Sequence, residues 1–333
     1  MIKEFNNLPT GLLEIAVEDL HTLIPEPALF HLPGKSADSL FVSVLLHGNE
    51  PTGFLAVQRL LQKYHGQALP RGMTLFFGNT QAARVNLRRL DRQPDFNRIW
   101  PGTALPDSPE TAWARRICEI MRRRGVFASI DVHNNTGLNP HYACLNKLDE
   151  DFLHLGALFG RLLVYFTHPK GVQSGAFAEF CPAVTLECGR PDQSHGVEHA
   201  FQFIDDCLHL RQFPAHPIPR HDVDIYHTVA QVTVADSASF AFNDAEADLC
   251  LNQDLERMNF TEIQVGTAFG EVKGDLMPVI ARDNDGNPVT ERFFQLSDGQ
   301  LQITRPTMPS MLTLNERVIR QDCLCYLMER ISP

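Results

Sequence analysis

The sequence predicts an α/β fold: a mixed, largely parallel sheet flanked by helices, followed by a small C-terminal antiparallel β domain. Two observations carry that expectation. Short β-branched or aromatic runs alternate with amphipathic helical stretches over most of the first 210 residues, as in sheets whose strands are buried on both faces by crossover helices. A linker over residues 213–220, with prolines at 214, 217 and 219, then gives way to short alternating strands and turn clusters such as 283–286.

In chain order, the apolar run 12–17 reads as a first strand and 40–46 as a second, with a helix over 52–64 whose apolar residues recur at helical spacing. Residues 73–77 form the next strand. A helix over 110–124 ends in Arg122, Arg123 and Arg124, where positive charge complements the helix dipole. Strands follow at 127–132, 163–166 and 183–186, with helices at 151–162 and 197–211. Beyond the linker, strands are expected at 228–234, 263–269 and 299–304, whereas 317–327 fits a strand or a helix equally. The domains are therefore drawn as 1–212 and 220–333.

Composition narrows the function. A net charge of -11 over 333 residues, with no basic stripe, argues against a nucleic-acid partner. The apolar runs fall short of the roughly 18 residues a membrane-crossing helix needs, and the first residues show no secretory pattern. Eight scattered cysteines without a C-x-x-C pair read as the reduced thiols of a cytoplasmic protein. The expected partner is a small molecule, and a homo-oligomer is left open.

The chemistry collects where strands end. Residues 40–46 run into His47, Gly48, Asn49 and Glu50; 73–77 into Gly78 and Asn79; 127–132 into His133 and Asn134; and 183–186 into Glu187. Ligands of open α/β sheets bind outside the carboxyl ends of the strands, so one rim gathers all four groups. His47 and Glu50 have the H-x-x-E spacing that lets an imidazole and a carboxylate meet one ion, and His133 completes the three-ligand set of a catalytic zinc. Asp131, two residues before His133, is either the acceptor for its second ring proton or a paired carboxylate without that task. Glu187 interrupts an apolar strand, where a charge is costly without a partner or a task, and a carboxylate beside an activated water can serve as general base. Arginines cluster at 84, 88, 89, 92 and 98 after the 73–77 strand. Asn97 and Arg98 suit a substrate carboxylate, and one of Arg88 and Arg89 suits the oxyanion of an attacked carbonyl.

These segments resemble the succinylglutamate desuccinylase/aspartoacylase family, related to the zinc carboxypeptidases. The resemblance lies in His47-Gly48-Asn49-Glu50, in Gly78-Asn79 with Ala82 and Asn97-Arg98, in Asp131-Val132-His133 and in Thr185-Leu186-Glu187-Cys188-Gly189, in that order over about residues 40–210. Tyr226 to Val234 and Asn259-Phe260-Thr261 are similar to the family's β domain. The resemblance implies a carboxypeptidase-like fold and hydrolysis of the amide of an N-acyl amino acid. It implies one Zn2+ per chain on His47, Glu50 and His133, base catalysis by Glu187, carbonyl polarisation by Arg88 or Arg89, and carboxylate recognition by Asn97 and Arg98. Thr80 departs from the family pattern, as do Asn134 and Asn135, the long interval from Arg88 to Asn97 and the absence of arginine from 174–182, so the acyl group does not carry over. A zinc carboxypeptidase and a catalytically idle zinc-containing binding protein are the competing readings. The proline-stiffened linker leads to the further expectation that the β domain lies near the mouth of the site and favours small substrates, the alternative being that it supplies a dimer surface or covers a sheet edge.

Overall fold

The computed structural model describes residues 2–191, 193–244 and 246–331. The chain divides into two compact units, one running to Asn134 and resuming over His141–Asp224, the other formed by Asn135–Pro140 and the residues from Ile225 onward.

The first unit holds strands β1 (Lys3–Phe5), β2 (Ala28–Leu32), β3 (Gly34–Val44), β4 (Leu69–Phe77), β5 (Val126–His133), β6 (Tyr142–Leu145), β7 (Leu162–Tyr165) and β8 (Ala183–Glu187). Its helices are α1 (Leu20–Leu23), α2 (Thr52–Lys63), α3 (Thr80–Ala83), α4 (Pro109–Arg124), α5 (Glu150–Phe159), α6 (Gln173–Phe177) and α7 (Ser194–His209). Strand order is β1-β2-β4-β3-β5-β8-β6-β7. The central run β4-β3-β5-β8 is parallel throughout, and antiparallel pairs join β2 to β4 and β8 to β6. The sheet is therefore mixed and largely parallel. Apolar runs in its middle strands are covered on both faces: Leu40, Phe41, Val42 and Val44 of β3 are fully buried, as are Ala183, Val184 and Leu186 of β8.

Helix α4 starts at a capping box in which Ser108 and Thr111 satisfy each other's backbone N–H groups, with Pro109 in the first turn. It ends on the three arginines expected at its dipole's negative end.

Two expected strands are corrected. Residues 12–17 form turns, not a strand: Leu12 is buried, and the carbonyls of Leu12 and Ile15 both accept from the Gln58 side chain on α2 at 2.9 Å. An apolar run can be buried without joining a sheet when a side chain supplies its backbone partners. In the second unit, 263–269 is interrupted at Gly266, where φ is 86°, and the strand begins only at Ala268. Neither β2 nor β6 was anticipated as a strand, and both join the sheet of the first unit.

The second unit contains β9 (Asp224–Val234, whose first residue belongs to the first unit), β10 (Phe240–Ala241), β11 (Leu249–Leu251), β12 (Ala268–Val272), β13 (Val279–Arg282), α8 (Thr290–Phe293), β14 (Phe294–Ser297), β15 (Gln300–Ile303), β16 (Met308–Ser310), α9 (Glu316–Gln321) and β17 (Cys325–Arg330). The ambiguous 317–327 segment contains both states, α9 and then the start of β17. Antiparallel ladders dominate, and buried Val232, Phe269, Phe293, Leu301 and Leu327 belong to one core. Among the described residues, no helix is long and apolar enough to cross a membrane.

Candidate active site

The side chains singled out at strand ends converge because β4, β3, β5 and β8 are adjacent and parallel, so their carboxyl ends share one rim. After β3 the chain leaves the sheet through Leu45, held at φ 58°. It reaches His47 at once and enters α2 after Glu50. Gly48 is required by close packing: a Cβ there would lie 2.3 Å from the backbone of Ala82 and Ala83 in α3. Gly48→Ala is expected to cost about 1–3 kcal/mol of stability, as overpacking does, read as a lower urea midpoint with unchanged slope.

His47, Glu50 and His133 are all buried, and one donor atom from each lies within 4.8 Å of the others. Glu50 sits between the imidazoles, with Oε1 2.8 Å from His47 Nδ1 and Oε2 2.7 Å from His133 Nδ1. Both rings present Nδ1 inward, and each far nitrogen meets a carboxylate. His47 Nε2 lies 2.9 Å from Asp95 Oδ1, and His133 Nε2 lies 2.8 Å from Asp131 Oδ2. Asp131 is fully buried and also accepts from Ser43 Oγ at 2.6 Å. Two imidazoles and one carboxylate, each imidazole braced by an outer carboxylate, form a group that could hold a divalent metal ion.

Electrostatics follow from this alternation of sign. Burial alone would raise the Glu50 carboxyl, but the two imidazoles outweigh it and hold it well below the usual range. Burial would likewise raise Asp95, yet His47 and Arg88 keep it well below. For His133, burial favours the neutral ring, and Asp131 and Glu50 reverse that, raising it well above its ordinary value. His47 is raised too, since Glu50 and Asp95 together exceed the effects of burial and Arg88.

The segment after β4 supplies the cationic side. Asn79 caps α3 by accepting from the Ala82 N–H, so its position is structural. Of the two adjacent arginines, Arg88 turns inward. Its Nε and Nη2 donate to Asp95 Oδ2 at 3.2 and 3.0 Å, and Nη1 lies 3.7 Å from Glu50 Oε1. Arg89 instead donates to the backbone carbonyl of Gln93. Phe96 and Trp100 anchor the next stretch in an aromatic cluster with Trp113, their ring centroids 5.4 and 5.9 Å from it. Between those anchors lies buried Asn97, whose Oδ1 accepts from the Gln173 N–H at 2.9 Å and whose Nδ2 lies 3.3 Å from His133 Nε2. Arg98 is half-buried and donates to the Asn97 carbonyl at 2.9 Å.

Glu187, 8% exposed, ends β8 in register with His133 on β5. Paired residues on neighbouring parallel strands project from the same face of the sheet, so the two share a side. The Glu187 loop is tied to the donor group through Asn134, whose backbone N–H donates to Glu50 Oε2 at 3.2 Å. Its Nδ2 donates to the Gly189 carbonyl at 2.9 Å, and its Oδ1 accepts from Thr52 at the start of α2 at 3.2 Å. The bracing roles of Asp95, Ser43 and Asn134 were not assigned from the sequence. Asp95 and His47 are separated by 48 residues, so no local spacing signals their contact.

Residues 36–194 match the family model of the succinylglutamate desuccinylase/aspartoacylase catalytic domain. No match was found among curated proteins. Solved structures share the fold. Succinylglutamate desuccinylase from Chromobacterium violaceum is 18% identical, with 89% of this chain and 86% of that one covered and a TM-score of 0.58. Murine aminoacylase 3 is 17% identical over 89% and 96% of the two chains, with a TM-score of 0.60. The ectoine utilization protein EutE (DoeB) from Ruegeria pomeroyi, in a product-bound structure, is 13% identical over 91% and 88%, with a TM-score of 0.54. Residues 36–194, which bear His47, Glu50, Arg88, Asn97, Arg98, His133 and Glu187, thus match the succinylglutamate desuccinylase/aspartoacylase catalytic domain, the family that the strand-end motifs resemble.

Proposed function

We propose that this protein is a zinc-dependent amidohydrolase that cleaves the amide bond of an N-acyl amino acid. The observation that carries the reading is the buried group of His47, Glu50 and His133, within a matched catalytic domain and one strand from Glu187 in register with His133. One zinc per chain held by those three residues would supply Lewis acidity, lowering the pKa of a water and polarising a carbonyl.

The chain's own residues would do the rest. Glu187 takes the proton of the attacking water and returns it to the leaving amine. Arg88, fixed by its two bonds to Asp95, meets charge developing on the carbonyl oxygen. Asn97 and Arg98 receive the α-carboxylate of the substrate, the guanidinium as a fork with two parallel donors. Asp95 and Asp131 hold the imidazoles in one orientation.

The deciding experiment is a hydrolysis screen of zinc-loaded protein against N-succinyl, N-acetyl and N-formyl amino acids and short peptides. Cleavage of N-acyl amino acids but not tri- or tetrapeptides is expected; the reverse pattern would make the protein a zinc carboxypeptidase, and no turnover at all would leave a binding protein. Arg98→Ala should reduce kcat/KM more for an N-acyl amino acid than for its carboxamide, and equal losses on both would remove Arg98 from carboxylate recognition. Asp131→Asn should weaken zinc by about 10- to 100-fold in a chelator competition. An unchanged affinity would mean that Ser43 and the strand orient His133 without the charge.

A further inference from the structure

A second concavity, of about 490 Å³, opens between α4 and the segment that runs through Lys170 to the end of α6. None of His47, Glu50, His133 and Glu187 lines it. Its charged residues are Arg115 and Arg122 on α4, Lys147 beyond β6, and Lys170, against the carboxylates of Glu119 and Glu179. A local excess of positive charge in a chain of net charge -11 is a place where the field selects anions.

The two carboxylates are already engaged. Glu119 pairs with Arg116 and Arg123, and Glu179 lies 3.6 Å from Lys147. Arg115 pairs with Asp107 at 2.9 Å, and Lys147 also donates to the Ala178 carbonyl at 2.7 Å. Among the described residues, no carboxylate stands within ion-pair distance of Arg122 or Lys170. The Arg122 guanidinium is steadied 4.8 Å above the Phe180 ring. The groove also contains an acceptor without a partner: Asn146 donates through Nδ2 to the Phe166 carbonyl, while its buried Oδ1 accepts from nothing. A buried acceptor of that kind is satisfied by a ligand that brings an O–H or N–H.

The geometry points to a binding site, separate from the catalytic group, for a small multivalent anion that also carries a hydrogen-bond donor. Arg122 and Lys170 meet its charge and Asn146 Oδ1 meets its hydroxyl or N–H. Inorganic phosphate and hydroxy-dicarboxylates share this chemistry; sulfate has the charge without the donor.

Neither tryptophan lines the groove, but Trp100 is coupled to its wall: its backbone N–H donates to the Gly171 carbonyl, so calorimetric titration is run beside fluorescence. Intrinsic fluorescence of the full, zinc-loaded chain is titrated with phosphate, malate and sulfate at ionic strength held constant with sodium chloride. A saturable change is expected with phosphate or malate, whichever binds tighter identifying the class, and a weaker one with sulfate. The doubly substituted Arg122→Glu, Lys170→Glu protein should bind at least about 10-fold more weakly, since each site loses a charge-assisted bond. Both side chains are exposed, so the fold should survive, and the milder Arg122→Gln, Lys170→Gln pair repeats the test. Responses no larger than those of the salt control, sulfate binding as tight as phosphate and malate, or unchanged affinity in both double variants would each overturn the site. A response lost in Arg98→Ala but kept in the double variants would also overturn it, by locating the anion in the catalytic cleft.

Discussion

Replacing Glu187 with glutamine is expected to slow hydrolysis by about 100- to 10,000-fold while zinc content stays at the parental level. The substitution keeps volume and hydrogen-bonding capacity at a position where only 8% of the residue meets solvent, so packing changes little. What it removes is a basic oxygen at the end of a strand whose other members are apolar or small. The charge is already felt by its neighbours: burial first, then the Glu187 carboxylate, pushes the Cys144 thiol well above its usual range, and Cys188 is raised in the same way with Glu50 contributing. Glu187 lies outside the group formed by His47, Glu50 and His133, which is why metal retention is part of the expected result. Single-turnover rates and elemental analysis on one preparation decide the matter. A rate within a few-fold of the parent would exclude Glu187 as the base, and loss of zinc would make it a ligand.

Substituting any one of His47, Glu50 and His133 with alanine is expected to weaken zinc by more than about 100-fold, beyond the losses that outer carboxylates produce, and to abolish turnover. His133→Ala is the most informative, because its consequences extend past the metal. The ring lies between Asp131 and Glu50, both buried, and its removal takes one partner from each, leaving Asp131 with Ser43 and Glu50 with His47 and the Asn134 N–H. In the metal-free protein that should cost about 3–5 kcal/mol, the range for breaking a buried ion pair from one side. Urea denaturation of metal-free parent and variant measures it. Full zinc occupancy in all three alanine variants would dismiss the donor group, whatever the stability result.

Much of this site was legible from the residues because the signals are local. An apolar run that ends in His47-Gly48-Asn49-Glu50 marks a strand, a turn and a His/Glu pair within eleven residues, and Asp131-Val132-His133 puts a carboxylate and an imidazole at the end of another strand. Glu187 stood out since a carboxylate at the end of Ala183-Val184-Thr185-Leu186 conflicts with the hydrophobicity around it. The choice between Arg88 and Arg89 was not legible. Two identical neighbours have the same composition and nearly the same position, and only the turn after α3, which brings Arg88 to Asp95 and Arg89 to the Gln93 carbonyl, separates them. The apolar run 12–17 misled for a related reason: hydrophobicity reports that a segment is buried, but its partner, here Gln58 on α2, decides whether it becomes a strand.

The sequence by itself determined the alternation of strands and helices, the composition of the buried strands, and which polar residues leave the sheet at a strand's end. Those properties depend on periodicity and turn chemistry over a few residues. Tertiary structure alone decided strand order and register, and with them the pairing of His133 with Glu187, the contact of His47 with Asp95 across 48 residues, and the link from Glu50 through Asn134 to Gly189. The physical reason is that side chains distant along the chain meet only after the sheet has closed. Which strand becomes a neighbour is set by packing both of its faces at once, a property of the whole unit that no single segment carries.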